Sequence, residues 1–151
     1  MDTETAAADR VELEAKVKQV YRAVAQNPAG NYHFRMGRVL AEQLGYPPPL
    51  LDAIPAGAVE SFAGVGYFFD LAGLKPGEKV LDLGSGSGMD VFTAAIEVGG
   101  GGQVVGLDMT EEQLEKAEGL RTMAGFPQVT FIQGHIEDLP FEDATFDCIN
   151  L

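Results

Sequence analysis

The run Gly84-Ser85-Gly86-Ser87-Gly88 follows the apolar stretch Val80-Leu81-Asp82-Leu83 and precedes a helical pattern. Glycine at alternate positions lets the backbone turn sharply and approach a ligand where a β-carbon would collide. A second apolar run ends at Asp108, where a carboxylate can accept hydrogen bonds from both hydroxyls of a ribose. Each feature also has a plainer reading. The glycines suit a tight strand-to-helix turn with no ligand, and Asp108 suits a cap on the helix that starts at Thr110. Thr110 with Gln113 three residues on, however, has the pattern of a capping box. That pattern leaves Asp108 free for a nucleoside.

The spacing also narrows the nucleoside. A dinucleotide fingerprint needs Gly-x-Gly-x-x-Gly, and here Met89 stands where the third glycine belongs. No Gly-Lys-Ser/Thr follows, which removes the phosphate loop of the nucleotide triphosphatases. Asp82, two residues ahead of the first glycine, would repel a pyrophosphate but would attract a cationic ligand end. An ammonium group, as on a methionine moiety, fits there.

The elements that must position these residues begin at about Lys75-Pro76-Gly77-Glu78, where short apolar runs start to alternate with helical stretches. Strands are expected at 79–83, 103–107 and 129–133, with a fourth at 146–151. Helices are expected at 89–98 and from Thr110 to Gly125, and the four glycines of 99–102 make a turn. Strands and helices in this alternation demand right-handed crossovers and a parallel sheet. A ligand then belongs at the carboxyl ends of the strands, beside the first. Residues 1–74 read as a helical lead-in, with a frayed 1–10, an amphipathic helix at 11–25, a second at 35–44 and a short one entered through Pro47-Pro48-Pro49. The aromatic segment 56–73 either lines a pocket or packs onto the domain.

Three groups of residues together carry a family resemblance: Asp82 to Gly88, Asp108-Met109, and Gly134-His135-Ile136-Glu137-Asp138-Leu139-Pro140-Phe141. They resemble the cofactor motifs of class I S-adenosylmethionine (SAM)-dependent methyltransferases. Leu44-Gly45-Tyr46, Ile54-Pro55 and the stretch from Leu74 to Asp90 are similar to the arsenite-methyltransferase-like and quinone-biosynthesis branch. The resemblance implies an α/β Rossmann-like sheet ordered 3-2-1-4-5-7-6, of which 75–151 supply the half-domain 3-2-1-4. It implies that Gly84, Ser85, Gly86, Ser87 and Gly88 cradle the methionine part of SAM with Asp82 beside them. Asp108 would then hold the ribose, Met109 one adenine face, and His135 and Ile136 the adenine edge. The acceptor implied is a small molecule, and the alternative is a SAM-binding or interaction module that transfers nothing. No catalytic residue is assigned, because transfer from a sulfonium needs no protein nucleophile.

Two departures from the family pattern stand out. The position of His135 is often an acid, though a neutral imidazole also accepts a hydrogen bond; a solvent-facing loop histidine is the other reading. Arsenite enzymes hold arsenic with several thiolates, but 27–36 and 56–68 contain no cysteine, and the chain's one cysteine, Cys148, belongs to an apolar strand. An arsenite acceptor is not expected.

Composition sets the outer limits. A length of 151 residues suits one core, and 46% apolar with 22% charged residues is ordinary for a globular protein. The net charge of −13 opposes nucleic acid and anionic membranes as partners. One cysteine, no basic-then-apolar leader and no long apolar run lead to the expectation of a cytoplasmic protein. His33, between Tyr32 and Phe34, is read as packed or surface-facing rather than as a base. The acids Glu137, Asp138, Glu142 and Asp143 lack the spacing of a calcium loop, so no metal is expected. A strand-four edge would invite self-association.

Overall fold

The computed structural model describes residues 3–31 and 35–151. Helix α1 (Thr3–Gln26) opens the chain, followed by α2 (Gly37–Leu44), α3 (Pro48–Ala53), α4 (Ala56–Glu60) and α5 (Phe69–Ala72). The alternating half follows as β1 (Lys79–Leu83), α6 (Met89–Val98), β2 (Gln103–Asp108), α7 (Glu111–Ala124), β3 (Val129–Gln133) and β4 (Cys148–Asn150). All pairings are parallel in the order β3-β2-β1-β4. That is the order expected from the sequence.

The register follows from burial. In β1 the residues Val80, Leu81 and Asp82 are buried, and α6 packs against β1 and β2 while α7 packs against β2 and β3. Val80, Val91, Ala94, Ala95, Val98, Val104 and Val129 form one apolar cluster. A second cluster joins the lead-in to the sheet, since Ala41, Tyr46, Leu51, Ile54, Ala58, Val59 and Phe62 pack with Met89 and Phe92. The lead-in is therefore fixed to α6 by large side chains. Tyr46 sits at its centre, with ring centroids 5.2 Å from Phe62 and 4.7 Å from Tyr67.

The structure corrects several expectations from sequence. Residues 3–10 are not simply frayed: α1 starts at Thr3, and the run Ala6-Ala7-Ala8 favours it because alanine is the best helix former. The segment 56–73 holds two short helices, α4 and α5, too brief to show a periodicity. The capping box at Thr110 does not form. Thr110 makes no side-chain cap bond, and Gln113, rather than reaching back to it, is buried under α1. His33, with Tyr32 and Phe34, lies outside the described residues.

Candidate functional site

The glycine loop leaves β1 through Gly84 (φ +74°), Gly86 (φ +55°) and Gly88 (φ +101°), conformations that cost a residue with a β-carbon about 1–2 kcal/mol. A β-carbon at Gly84 would meet no atom within 4 Å, so it would point into open space, whereas at Gly88 it would lie 2.7 Å from the Phe92 ring. Gly84 faces the cleft and Gly88 packs the loop down. The amides of Gly84 and Ser85 both donate to Leu107 O, at 2.8 and 3.0 Å, which ties the loop to the end of β2.

Asp108 meets the loop there. Its Oδ2 accepts the Gly86 amide at 2.9 Å and its Oδ1 accepts the Thr110 amide at 2.8 Å. The carboxylate therefore shapes the turn itself, a job the sequence pattern assigned to Thr110. A carboxylate has about four lone-pair sites, so two remain for a ligand. Met109 follows, and Gly134 N donates to Asp108 O at 3.0 Å, which brings His135 and Ile136 alongside.

Two cavities open on this ridge and share Tyr21, Gly84 and Gly86 in their walls. One, of about 380 Å³, is bounded by Leu13, Val17, Leu107, Asp108, Met109, His135 and Ile136. The other, of about 230 Å³, lies over Asp82, Ser85, Ser87, Met89 and Asp90 beneath Phe62 and Phe68. All ten site residues expected from sequence lie on this ridge. Nine of them line one cavity or the other, and Gly88 supports the loop from behind. Two hydroxyls, Ser85 Oγ and Thr110 Oγ1, are buried with no hydrogen-bond partner. Each belongs to a residue lining one of the cavities. A buried, unpaired hydroxyl costs about 1–3 kcal/mol, and a polar ligand in each cavity would remove that cost.

Several contributors were missed from sequence. Tyr46 donates its hydroxyl proton to Asp90 Oδ1. Asn150 Nδ2 donates to Asp82 Oδ1 at 2.9 Å and to Asp90 Oδ2 at 3.1 Å. Burial first, and then the nearby Asp90, push the Asp82 carboxyl up to about 8, against the pull of the Asn150 hydrogen bond. Burial also raises Asp90, although Tyr46 and Asn150 oppose it. Tyr46 itself is raised by burial and by Asp90, so its proton stays on the hydroxyl. Gln113 accepts from Ser87 Oγ and donates to Tyr21 O at 2.8 Å, linking glycine loop, α7 and α1. The sequence singles out Asp82 as a site residue and Gln113 as a capping-box partner, places Tyr46 and Asp90 only within stretches similar to a family branch, and does not single out Asn150 at all. Glu137, Asp138, Glu142 and Asp143 are exposed, and Glu137 pairs with Arg10 at 3.0 Å.

A parallel sheet ordered 3-2-1-4, with a glycine turn after its first strand touching an acid at the end of its second, defines a Rossmann-like nucleoside-binding fold. The chain belongs to the methyltransferase-domain family, whose pattern residues 74–151 match. An arsenite methyltransferase of Halobacterium salinarum is 39% identical over 109 residues, which takes in 72% of this chain and 28% of that protein. A ubiquinone/menaquinone biosynthesis C-methyltransferase of Cronobacter sakazakii is 37% identical over 86 residues, or 56% of this chain and 34% of that one. Among solved structures, an arsenic(III) S-adenosylmethionine methyltransferase from Chlamydomonas reinhardtii superposes with a TM-score of 0.57. Its identity is 40%, over 68% of this chain and 38% of that chain. The chain thus spans about a third of the length of the curated relatives it matches. The cofactor of the family is SAM. No described helix is long and apolar enough to cross a membrane.

Proposed function

We propose that this chain is the SAM-binding portion of a methyltransferase that modifies a small-molecule acceptor. The observation that carries the reading is the direct bond between Gly86 N and Asp108 Oδ2 at the meeting point of the two cavities. One adenosyl group can touch both residues from there. Asp108 would bind the ribose hydroxyls, Met109 an adenine face, and His135 and Ile136 the adenine edge. Asp82 and Gly84, Ser85, Gly86, Ser87 and Gly88 would hold the methionine end. SAM supplies an activated sulfonium methyl when bound. The protein's part is to hold donor and acceptor at attack distance and exclude water, an effect that reaches about 7–11 kcal/mol when the geometry is right. Phe62 and Phe68 on the roof of the smaller cavity suit that exclusion.

This chain by itself does not supply an arsenite site in this reading, because its single cysteine cannot form the thiolate set a soft centre needs. Residues 1–74 serve as the cap and 75–151 as the cofactor half-domain. A cytoplasmic location goes with a single free thiol, Cys148. Self-association through β4, which pairs on one side only, belongs to the same proposal and is tested by sedimentation over a concentration series.

Calorimetric titration with SAM and with S-adenosylhomocysteine tests the binding claim. Both should bind, and binding of neither would end the reading. A radiolabelled methyl-transfer assay on candidate acceptors then separates an enzyme from a module that binds and transfers nothing.

A further inference from the structure

The floor of the smaller cavity holds an arrangement that cofactor binding alone does not require. Asp82 on β1 and Asp90 on α6 stand side by side, and one carboxamide, Asn150 on β4, donates to both. Asp90 receives two donors, Tyr46 on one oxygen and Asn150 on the other, whereas Asp82 receives one. Among the described residues no lysine, arginine or histidine makes an ion pair with either carboxylate, and the other acid acting on Asp82 is Asp108, from β2. The remaining titratable group near Tyr46 is Tyr67.

Asp82 is buried and Asp90 half-buried, and two adjacent, largely desolvated carboxylates without a cation favour sharing one proton over both being charged. Asp90, with a donor on each oxygen, is the better stabilised anion, so the spare proton rests on Asp82. Ser85 gives an independent sign that this cavity takes a polar ligand. It is 6% exposed and lines the same cavity, yet its hydroxyl has no partner.

We propose that Asp82 and Asp90, coupled through Asn150, act as one acid–base unit that releases a proton to solvent when the ammonium group of the cofactor's amino-acid end enters. This rests on the SAM-binding reading above and adds to it a charge filter: the cavity accepts a cationic end and pairs it with an anion formed on demand. No bond other than the O–H bond of Asp82 breaks, and buffer takes up the proton. The pair titrates as a unit rather than as two independent acids.

Linkage fixes the sign. If one proton leaves on binding, affinity rises about tenfold per pH unit while Asp82 is protonated in the free protein, and levels off as the pH passes about 8. A nucleoside without the ammonium group should show no such slope.

The experiment is calorimetry on the full chain with two ligands, S-adenosylhomocysteine and 5′-methylthioadenosine, the latter lacking the amino-acid end. Titrations near pH 6.5 in buffers of different ionisation enthalpy give the number of protons released. Close to one proton is expected with S-adenosylhomocysteine and none with methylthioadenosine. Asp82→Asn should abolish the release and leave methylthioadenosine binding intact, which also shows that the variant is folded. Asp90→Asn should move the levelling-off of affinity to lower pH, because Asp82 then ionises beside a neutral group. Binding of both ligands with no buffer-dependent heat overturns the inference and leaves the SAM-binding reading standing. Failure of both ligands to bind removes that reading itself.

Discussion

The two cavities that flank the glycine loop solve opposite problems. The larger is lined by Leu13, Val17, Leu107, Met109 and Ile136 around the carboxylate of Asp108, and at its exposed rim Arg10 pairs with Glu137. The smaller encloses two carboxylates with no counter-ion among the described residues and satisfies them with a tyrosine and an asparagine. A flat aromatic base gains from apolar walls, and an ammonium group gains from desolvated anions. The difference shows how one ligand can be read at both ends by separate physics, joined at the Gly86–Asp108 contact.

The largest expected effect comes from breaking the support common to both cavities. Gly88→Val combines a left-handed backbone with a β-carbon 2.7 Å from Phe92. The expected loss is about 3 kcal/mol, read as a drop in thermal midpoint of roughly 10 °C. Asp108→Ala should come next. It removes the acceptor for the Gly86 and Thr110 amides and for the ribose, so affinity for S-adenosylhomocysteine should fall about ten- to hundredfold by calorimetry.

Asp82→Asn sharpens the contrast by acting on the smaller cavity alone. The folded protein holds Asp82 at about 8, against about 3.9 in an unfolded chain. Its contribution to stability is therefore complete below about pH 4 and is lost as the pH rises towards and through 8. The wild-type chain should lose stability over that window in denaturant melts. The asparagine variant should be flatter and, above neutral pH, the more stable of the two. The smallest effect belongs to the rim of the larger cavity. Glu14 is half-buried, its carboxyl lowered mainly by Lys18, and it stands 4.0 Å from His135. Glu14→Gln should leave the thermal midpoint unchanged and alter adenosyl binding by less than twofold. A larger shift would mean that the rim, and not only the apolar wall, reads the base.

The two halves of the chain also differ in how far their sequence could be read. In 75–151 the strands, the glycine loop and the acid after β2 all follow from short-range signals, because apolar runs, glycines and helix starts act within a few residues. In 1–74 the helices α4 and α5 are four or five residues long, and α4 is held by packing against α2, α3 and α7 rather than by local pattern. Thr110 and Gln113 show the limit most directly. Their spacing spells a capping box, but burial beneath α1 gave Gln113 better partners in Ser87 and Tyr21.

The sequence by itself determined the parallel sheet and the loop and acid that meet at its edge, features that depend on residue type and on the handedness of crossovers, while the strand order followed from the family resemblance. Only the tertiary structure decided what lies beneath the smaller cavity, where Tyr46, Asp82, Asp90 and Asn150 converge from four separate stretches of chain. No local pattern encodes that cluster, because a buried carboxylate becomes special through the neighbours that folding brings to it.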